Sequence, residues 1–88
     1  MEKKAFTLRL IREGEVTVIP CDGVTLFLPD AENGRGGGCV GIRPGHRPAL
    51  MALANGPLCA KKDGAEIFRC DLTGGLAAVT SEGVTVLP

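Results

Sequence analysis

The chain has 88 residues, and its 13 glycines and 6 prolines disfavour regular helix. Ten basic and ten acidic side chains give a formal net charge of zero, which argues against a protein whose main task is to cover nucleic-acid phosphates. The three aromatic residues, Phe6, Phe27 and Phe68, are too few for a platform that stacks bases. The length predicts one small domain, residues 1–88, with a thin core.

Short strands are predicted along the first half of the chain, where apolar and polar residues alternate with a period of two. They cover residues 6–10, 16–19, 24–28 and 40–42. Breaks are predicted at Gly14-Glu15, at Pro20 and at the turn formed by residues 21–23. A long glycine-rich loop is predicted over residues 31–38.

The second half continues this pattern of strands and turns. Residues 58–61 and 65–72 flank Asp63-Gly64, a pair of residues typical of a tight β-hairpin. Two more strands are predicted over 76–79 and 84–87. The apolar run 49–54 is too short for an independent helix, so we interpret it as a strand or a bent edge segment. Eight to ten such strands predict an all-β sandwich or barrel.

The four cysteines do not have the spacing of a metal site. The two closest, Cys59 and Cys70, are 11 positions apart, whereas structural zinc sites use close pairs. The N-terminus shows no apolar signal segment, so disulfides are not expected and the protein should stay in the compartment where it is made. We therefore expect four free thiols, buried or half-buried, and no metal.

Two patterns could suggest catalysis or nucleotide binding, and neither is complete. Residues 36–41 spell G-x-G-x-x-G, but Pro44-Gly45 follows where a dinucleotide site needs a helix. Cys39 and His46 could serve as nucleophile and base, yet no orienting group or oxyanion donor is apparent. A histidine in a Pro-Gly-His-Arg-Pro loop is more typical of turn packing, so we predict no enzyme activity and no cofactor.

Basic residues raise two further alternatives. Arg35, Arg43 and Arg47 lie with His46 in a stretch without acids, which suits an acidic partner, lipid headgroups or simply solvent. Lys62 stands at a predicted hairpin, as the modified lysine does in lipoyl and biotinyl carrier domains. The surrounding residues match neither carrier motif, and a solvated turn explains them.

Several motifs in register resemble the epsilon subunit of F-type ATP synthase. Residues 40–50 are similar to the family's G-I-x-P-G-H-x-P-L-L stretch, and 53–56 to its L-x-x-G. Residues 62–64 are similar to its K-x-G hairpin, 73–79 to its S-G-G-x-x-E-V run and 84–87 to its V-T-V-L ending. With the opening strand included, the resemblance covers essentially the whole chain.

The resemblance implies a ten-stranded β-sandwich of two five-stranded sheets. It further implies a non-catalytic subunit of the central stalk that couples rotation of the c-ring to the catalytic head. Its partners would be the gamma subunit and the c-ring, with no nucleic acid and no small-molecule substrate. It would lie on the cytoplasmic face of the cell membrane, attached through the complex. The alternative function is a free-standing interaction or acyl-carrier domain.

The resemblance also implies which residues touch the gamma subunit and the ring, at one shared end of the sandwich: Gly38, Cys39, Gly41, Ile42, Arg43, Pro44, Gly45, His46, Pro48 and Leu50. Cys39 stands where the family usually has an acidic residue, and the preceding loop carries Arg35. We therefore expect a basic loop to face an acidic or neutral ring surface.

Typical members of the family continue beyond the position of Pro88 into two helices that carry an inhibitory function. A naturally short subunit is expected to couple rotation without inhibiting ATP hydrolysis. A fragment of a longer chain would have the same sequence.

Overall fold

The computed structural model describes residues 6–29 and 38–88, and all regular structure within them is strand. The strands are β1 (Phe6–Arg12), β2 (Glu15–Cys21), β3 (Gly23–Leu28), β4 (Gly38–Ile42), β5 (Ala49–Ala52), β6 (Asn55–Lys62), β7 (Ala65–Thr73), β8 (Leu76–Thr80) and β9 (Gly83–Leu87). One sheet has five strands in the order β2-β1-β9-β8-β5, and the other has four in the order β4-β3-β6-β7.

The predicted all-β sandwich is confirmed by this architecture. The resemblance implies ten strands in two sheets of five, and the described residues contain nine, five in one sheet and four in the other. The predicted loop at 31–38 lies outside the described residues except for Gly38, which begins β4. The described residues contain no helix long and apolar enough to span a membrane.

Strand alternation builds one core between the two sheets. In β1, Phe6, Leu8 and Leu10 are buried, while Arg9 between them is exposed. The same period buries alternate residues of β3, β8 and β9, because successive side chains of a strand point to opposite faces. The five-stranded sheet contributes mainly Leu8, Ala77, Val79, Val84 and Val86, and the four-stranded sheet mainly Val24, Leu26, Ile42, Leu58 and Ala60.

The pairing of β1 with β9 joins the two ends of the described chain. The strands run parallel, with Leu8 beside Val84 and Leu10 beside Val86. All other strand pairs are antiparallel. Because β9 lies at the centre of its sheet, this long-range pairing holds both ends of the described chain in one sheet.

Two tight hairpins close neighbouring antiparallel strands. Asp63 and Gly64 both have positive φ, 52° and 80°, in the two-residue turn that joins β6 to β7. Glu13 and Gly14 have the same pattern, 44° and 81°, between β1 and β2. Positive φ at both central residues is the type I′ geometry that matches the twist of paired strands. The hairpin predicted at Asp63-Gly64 is confirmed.

The structure corrects one predicted strand end and confirms the interpretation of one apolar run. Pro20 was expected to end a strand, but β2 continues through it to Cys21. β2 is an edge strand that pairs only with β1, so a proline without an N–H is tolerated there. The run at 49–54 was expected to be a strand or a bent edge segment, and β5 is indeed the edge strand of the five-stranded sheet.

The cysteines are free thiols in different environments. Cys21 and Cys59 are buried and Cys70 is half-buried, as expected, but Cys39 is exposed, which corrects the prediction for that residue. Cys39 pairs with Phe27 on the outward-facing side of the edge strand β4, where no further strand of the described residues covers it. The described residues contain no cluster of side chains able to hold a metal ion.

Candidate protein-interaction surfaces

The ten residues singled out in the sequence lie on a segment that connects the edges of the two sheets. β4 is the edge strand of the four-stranded sheet and β5 is the edge strand of the five-stranded sheet. Residues 43–48, here called the crossing loop, pass from one sheet to the other. The segment therefore forms one side of the sandwich and turns across one of its ends.

A tight turn fixes the start of the crossing loop. The N–H of His46 donates to the carbonyl oxygen of Arg43 at 3.2 Å, which closes a four-residue turn. Pro44 occupies its second position, and Gly45 has a φ of 87° at the third, which is the pattern of a type II turn. The N–H of Gly45 also donates to the carbonyl oxygen of Ser81 at 3.1 Å, so the loop is anchored to the turn between β8 and β9.

His46 is held within this loop by a local hydrogen bond. Its Nδ1 lies 2.6 Å from the carbonyl oxygen of Arg47, and a carbonyl accepts but does not donate, so Nδ1 carries the proton. Cys39 lies on β4 three residues before Ile42, about 10 Å along the strand, and His46 lies beyond the end of that strand. The structure therefore does not bring the Cys39 thiol and the His46 imidazole together.

The predicted residues do not share one end of the sandwich. Gly38 pairs with Leu28 and Ile42 pairs with Val24, so the two ends of β4 are about 13 Å apart. Gly38 and Cys39 lie toward one end, while the crossing loop lies at the other. The expectation that both regions face a single end is therefore corrected.

Exposure also separates the predicted residues. The side chain of Ile42 is fully buried in the core, so it supports the fold and is not available to a partner. Leu50, in contrast, is 73% exposed on β5. His46 is half-buried, and the others are exposed: Gly38, Cys39, Gly41, Arg43, Pro44, Gly45 and Pro48.

Arg43 lines a polar cleft of about 430 Å³ at the crossing-loop end. The other side chains of its lining are those of Asp22 and Lys61, together with two glycines. Asp22 holds this corner in place, since its N–H donates to the carbonyl oxygen of Lys61 and its Oδ2 accepts from the N–H of Asp63, both at 2.9 Å. The result is a rigid, mixed-charge surface made of β-turns.

The most apolar surface was not predicted from the sequence. It is the outer face of the five-stranded sheet, which we call the aliphatic face. Five of the six large hydrophobic side chains exposed in the described residues lie on it: Val16, Val18, Leu50, Leu76 and Leu87. Large exposed apolar patches of this kind mark interaction sites in soluble proteins.

The strand register arranges this face in rows. Val16 pairs with Ile11, and Leu10 pairs with Val86, so the same register continued by one residue brings Ile11 beside Leu87. Leu87 pairs with Leu76, and Leu76 pairs with Ala52. These five side chains form an aliphatic row across all five strands, about 19 Å long at the usual strand spacing.

A signal for the aliphatic face was present in the sequence. In β8 the run Leu76-Ala77-Ala78-Val79 is apolar at inward and at outward positions alike. In β2 the outward positions carry Val16 and Val18. A strand that is apolar at both phases is typical of a sheet covered on both faces. The outward positions of β1 and β9 are mixed, because Arg9 and Thr85 lie beside each other on them.

The thiols that lie in or near the core are poor nucleophiles. Burial raises the pKa of Cys21 and that of Cys70 above 9.0. Burial also raises the pKa of Cys59, and the hydrogen bond that its thiol donates to the Glu66 carboxylate, together with the negative charge of Glu66, adds to the shift. Thiols with raised pKa values stay protonated at neutral pH, so the structure gives these three no nucleophilic chemistry.

Comparison with known proteins decides the family. Residues 35–88 match the family model described as ATP synthase, Delta/Epsilon chain, beta-sandwich domain. The chain belongs to this family. The resemblance to the epsilon subunit noted in the sequence is thereby confirmed, and the match runs from three residues before β4 to Pro88.

Two similar proteins show how much is shared. The ATP synthase epsilon chain of Frankia casuarinae (strain DSM 45818 / CECT 9043 / HFP020203 / CcI3) is 38% identical over 50 residues, which are 57% of this chain and 59% of that relative. A chain in the cryo-EM structure of Euglena gracilis mitochondrial ATP synthase, OSCP/F1/c-ring in rotational state 1, superposes with a TM-score of 0.71. It is 23% identical, and the match covers 96% of this chain and 50% of that chain. At this identity the match establishes a shared fold, and this chain spans about half the length of its matched relatives.

Proposed function

We propose that the chain acts as a non-catalytic subunit of the central stalk of an F-type ATP synthase. It would couple rotation of the c-ring to the catalytic head by binding both the gamma subunit and the ring. It would lie at the cytoplasmic face of the cell membrane, attached through the complex. The observation that carries this proposal is the family match over residues 35–88.

The aliphatic face is the surface we propose for the gamma subunit. Interfaces between permanently associated subunits are more apolar than transient ones and resemble a core cut in half. The aliphatic row and Leu50 provide such a surface on a sheet whose other side is the core. A sheet supported in this way deforms little under load, which suits the transmission of torque.

The crossing loop is the surface we propose for the ring. Its first turn is fixed by backbone hydrogen bonds, and it carries the exposed Arg47 as well as Arg43, which lines the polar cleft. Exposed cations on a rigid loop suit polar or acidic loops of a partner, where charge complementarity sets orientation and specificity. Loops on a rigid scaffold are also common places for binding residues.

Binding to the cognate gamma subunit tests the proposal, with two matched variants. Leu76 is 45% exposed on the aliphatic row, and Ile67 is 47% exposed on β7 of the other sheet. Leu76→Glu should weaken binding to the gamma subunit roughly 30-fold or more, because a charge would be buried at the centre of the interface. Ile67→Glu should leave binding unchanged.

Binding constants from isothermal titration calorimetry distinguish the possible outcomes. Failure of the unaltered chain to bind the gamma subunit contradicts the proposed function. Equal binding by both variants contradicts the assignment of the aliphatic face. Equal melting temperatures of the variants, measured by circular dichroism, establish that the fold is intact.

A further inference from the structure

Arg9 is the one charged side chain on the aliphatic face among the strand residues that the structure describes. It points outward from β1, between the buried Leu8 and Leu10. Its neighbours across the sheet are Val18 on β2 and Thr85 on β9. The row that contains Arg9 continues through Ala78 to Leu50 and lies about 7 Å from the aliphatic row.

No carboxylate within the described residues pairs with this guanidinium. The ion pair found in residues 6–29 and 38–88 joins Arg69 to Glu66, on the other sheet. The side chains beside Arg9 on its own face are aliphatic or hydroxylated. The Arg9 guanidinium is therefore satisfied by water as long as the face is uncovered.

Any flat partner that covers the aliphatic row also covers Arg9, because the two rows are adjacent. Covering removes water from the guanidinium, and a desolvated charge is costly unless it is paired and hydrogen-bonded. The planar fork of arginine matches a carboxylate through two parallel hydrogen bonds. A stable complex on this face therefore requires an acidic side chain opposite Arg9.

A second copy of the chain does not meet this requirement. In a two-fold dimer the same face is used by both copies. The aliphatic face of the described strands contains no carboxylate, so both Arg9 guanidinium groups would be buried without a partner. Arg9 therefore disfavours self-association through a surface that is otherwise suited to it.

We infer that Arg9 is the specificity-determining residue of the aliphatic face, and that the gamma subunit presents an apolar surface with a carboxylate opposite it. The inference rests on the proposed function. Since the whole chain has a net charge of zero, broad electrostatic steering is weak, and a single charge pair fixes the register of the two surfaces. The aliphatic row supplies the buried area, and Arg9 selects the partner.

Four variants test the inference by titration against the cognate gamma subunit at low and high salt. Arg9→Glu should bind roughly 30-fold more weakly, because it places two carboxylates together. Arg9→Met should bind about tenfold more weakly and lose most of the salt dependence. Arg9→Lys should retain most of the affinity. Arg69→Glu, an arginine reversal on the other sheet, should bind as the unaltered chain does.

The outcomes separate this inference from the proposed function. Binding by Arg9→Met as tight as or tighter than that of the unaltered chain overturns the inference, because it shows that no carboxylate faces Arg9. If Leu76→Glu still weakens binding in that case, the proposed function stands. Dimers of the unaltered chain at micromolar concentration, seen by sedimentation, would also overturn the inference. Failure of the unaltered chain to bind contradicts the proposed function itself.

Discussion

The two outer faces of the sandwich come from the same strand alternation and have opposite character. The four-stranded sheet carries Glu66 and Arg69 outward, joined by an ion pair at 3.6 Å and well exposed. The five-stranded sheet carries an aliphatic row with Arg9 beside it. Both sheets bury their inner faces in the same core, so the core requires apolar residues only at the inward positions of each strand. The apolar residues at the outward positions of the five-stranded sheet therefore indicate a partner.

A bulge makes the charged face possible. Along β7 the register moves from Phe68 opposite Ala60 to Glu66 opposite Lys61, which leaves Ile67 as an extra residue. Residues three apart normally point to opposite faces of a strand, and the extra residue places Glu66 and Arg69 on the same face. The difference between the two faces thus depends on register as well as on composition.

The largest expected effect tests whether the two sheets contribute equally to the core. Leu8 and Leu58, one from each sheet, are both fully buried. Leu8→Ala and Leu58→Ala should each lower the free energy of unfolding by about 3 kcal/mol, from lost burial and the cavity that remains. Urea unfolding followed by circular dichroism measures both. A loss at Leu58 below about 1 kcal/mol would show that the four-stranded sheet contributes little to the core.

A smaller effect is expected from two glycines, one on each outer face. A Cβ at Gly83 would overlap the carbonyl oxygen of Thr7 on the paired strand β1. Gly83→Ala should therefore lower the free energy of unfolding by about 2 kcal/mol through forced separation of β1 and β9. At Gly41, on β4, a Cβ would meet nothing within 4 Å, so Gly41→Ala should change the free energy of unfolding by less than about 0.5 kcal/mol.

Chemical denaturation of Gly83→Ala and Gly41→Ala measures how much each substitution lowers the free energy of unfolding. The close approach of Thr7 belongs to Gly83 on the β1–β9 pair, and Gly41 on the other sheet has no such neighbour. Equal stability of the two variants would contradict the close approach at Gly83.

The smallest effect concerns pH. The pKa values of Cys21, Cys59 and Cys70 are raised in the folded protein by burial, so their thiols ionise more readily in the unfolded chain. The unfolded state then binds fewer protons above about pH 9, and the free energy of unfolding should fall as pH rises through that range. Between pH 6 and pH 8 the thiols are protonated in both states and contribute no slope.

Cys21→Ala should reduce this alkaline loss of stability, and Cys39→Ala, the same change at an exposed strand position, is the matched control. Thermal melts between pH 7 and pH 10 measure the difference. An alkaline loss that is the same in the two variants would show that burial of Cys21 does not govern it.

Much of the fold followed from local patterns, and the exceptions have identifiable causes. The alternation in residues 6–10 and the turn residues Asp63-Gly64 predicted β1 and the β6–β7 hairpin correctly. Pro20 was misinterpreted because whether a proline can lie in a strand depends on whether that strand is at an edge. The prediction that Cys39 is buried or half-buried was wrong for the same reason, since β4 is also an edge strand.

The candidate site followed less closely from the sequence. The motif around Pro44-Gly45 predicted a turn, and the structure forms one that is anchored to Ser81. The prediction that Gly38 and the crossing loop share one end of the sandwich was wrong, because Gly38 lies at the far end of the five-residue strand β4. Apart from Leu50, the aliphatic face was missed, since Val16 lies far along the chain from Leu76 and Leu87 and joins them only through the pairing of β1 with β9.

The sequence by itself determined the strands, most turns and the family, because these depend on residue types at short spacing. The tertiary structure alone decided which strands are neighbours, and with that which side chains share a surface. Alternation fixes two faces for every strand but carries no information about the strand beside it. The aliphatic row, and the place of Arg9 next to it, exist because β9 lies between β8, its antiparallel hairpin partner, and β1, with which it pairs in parallel from a distant part of the chain.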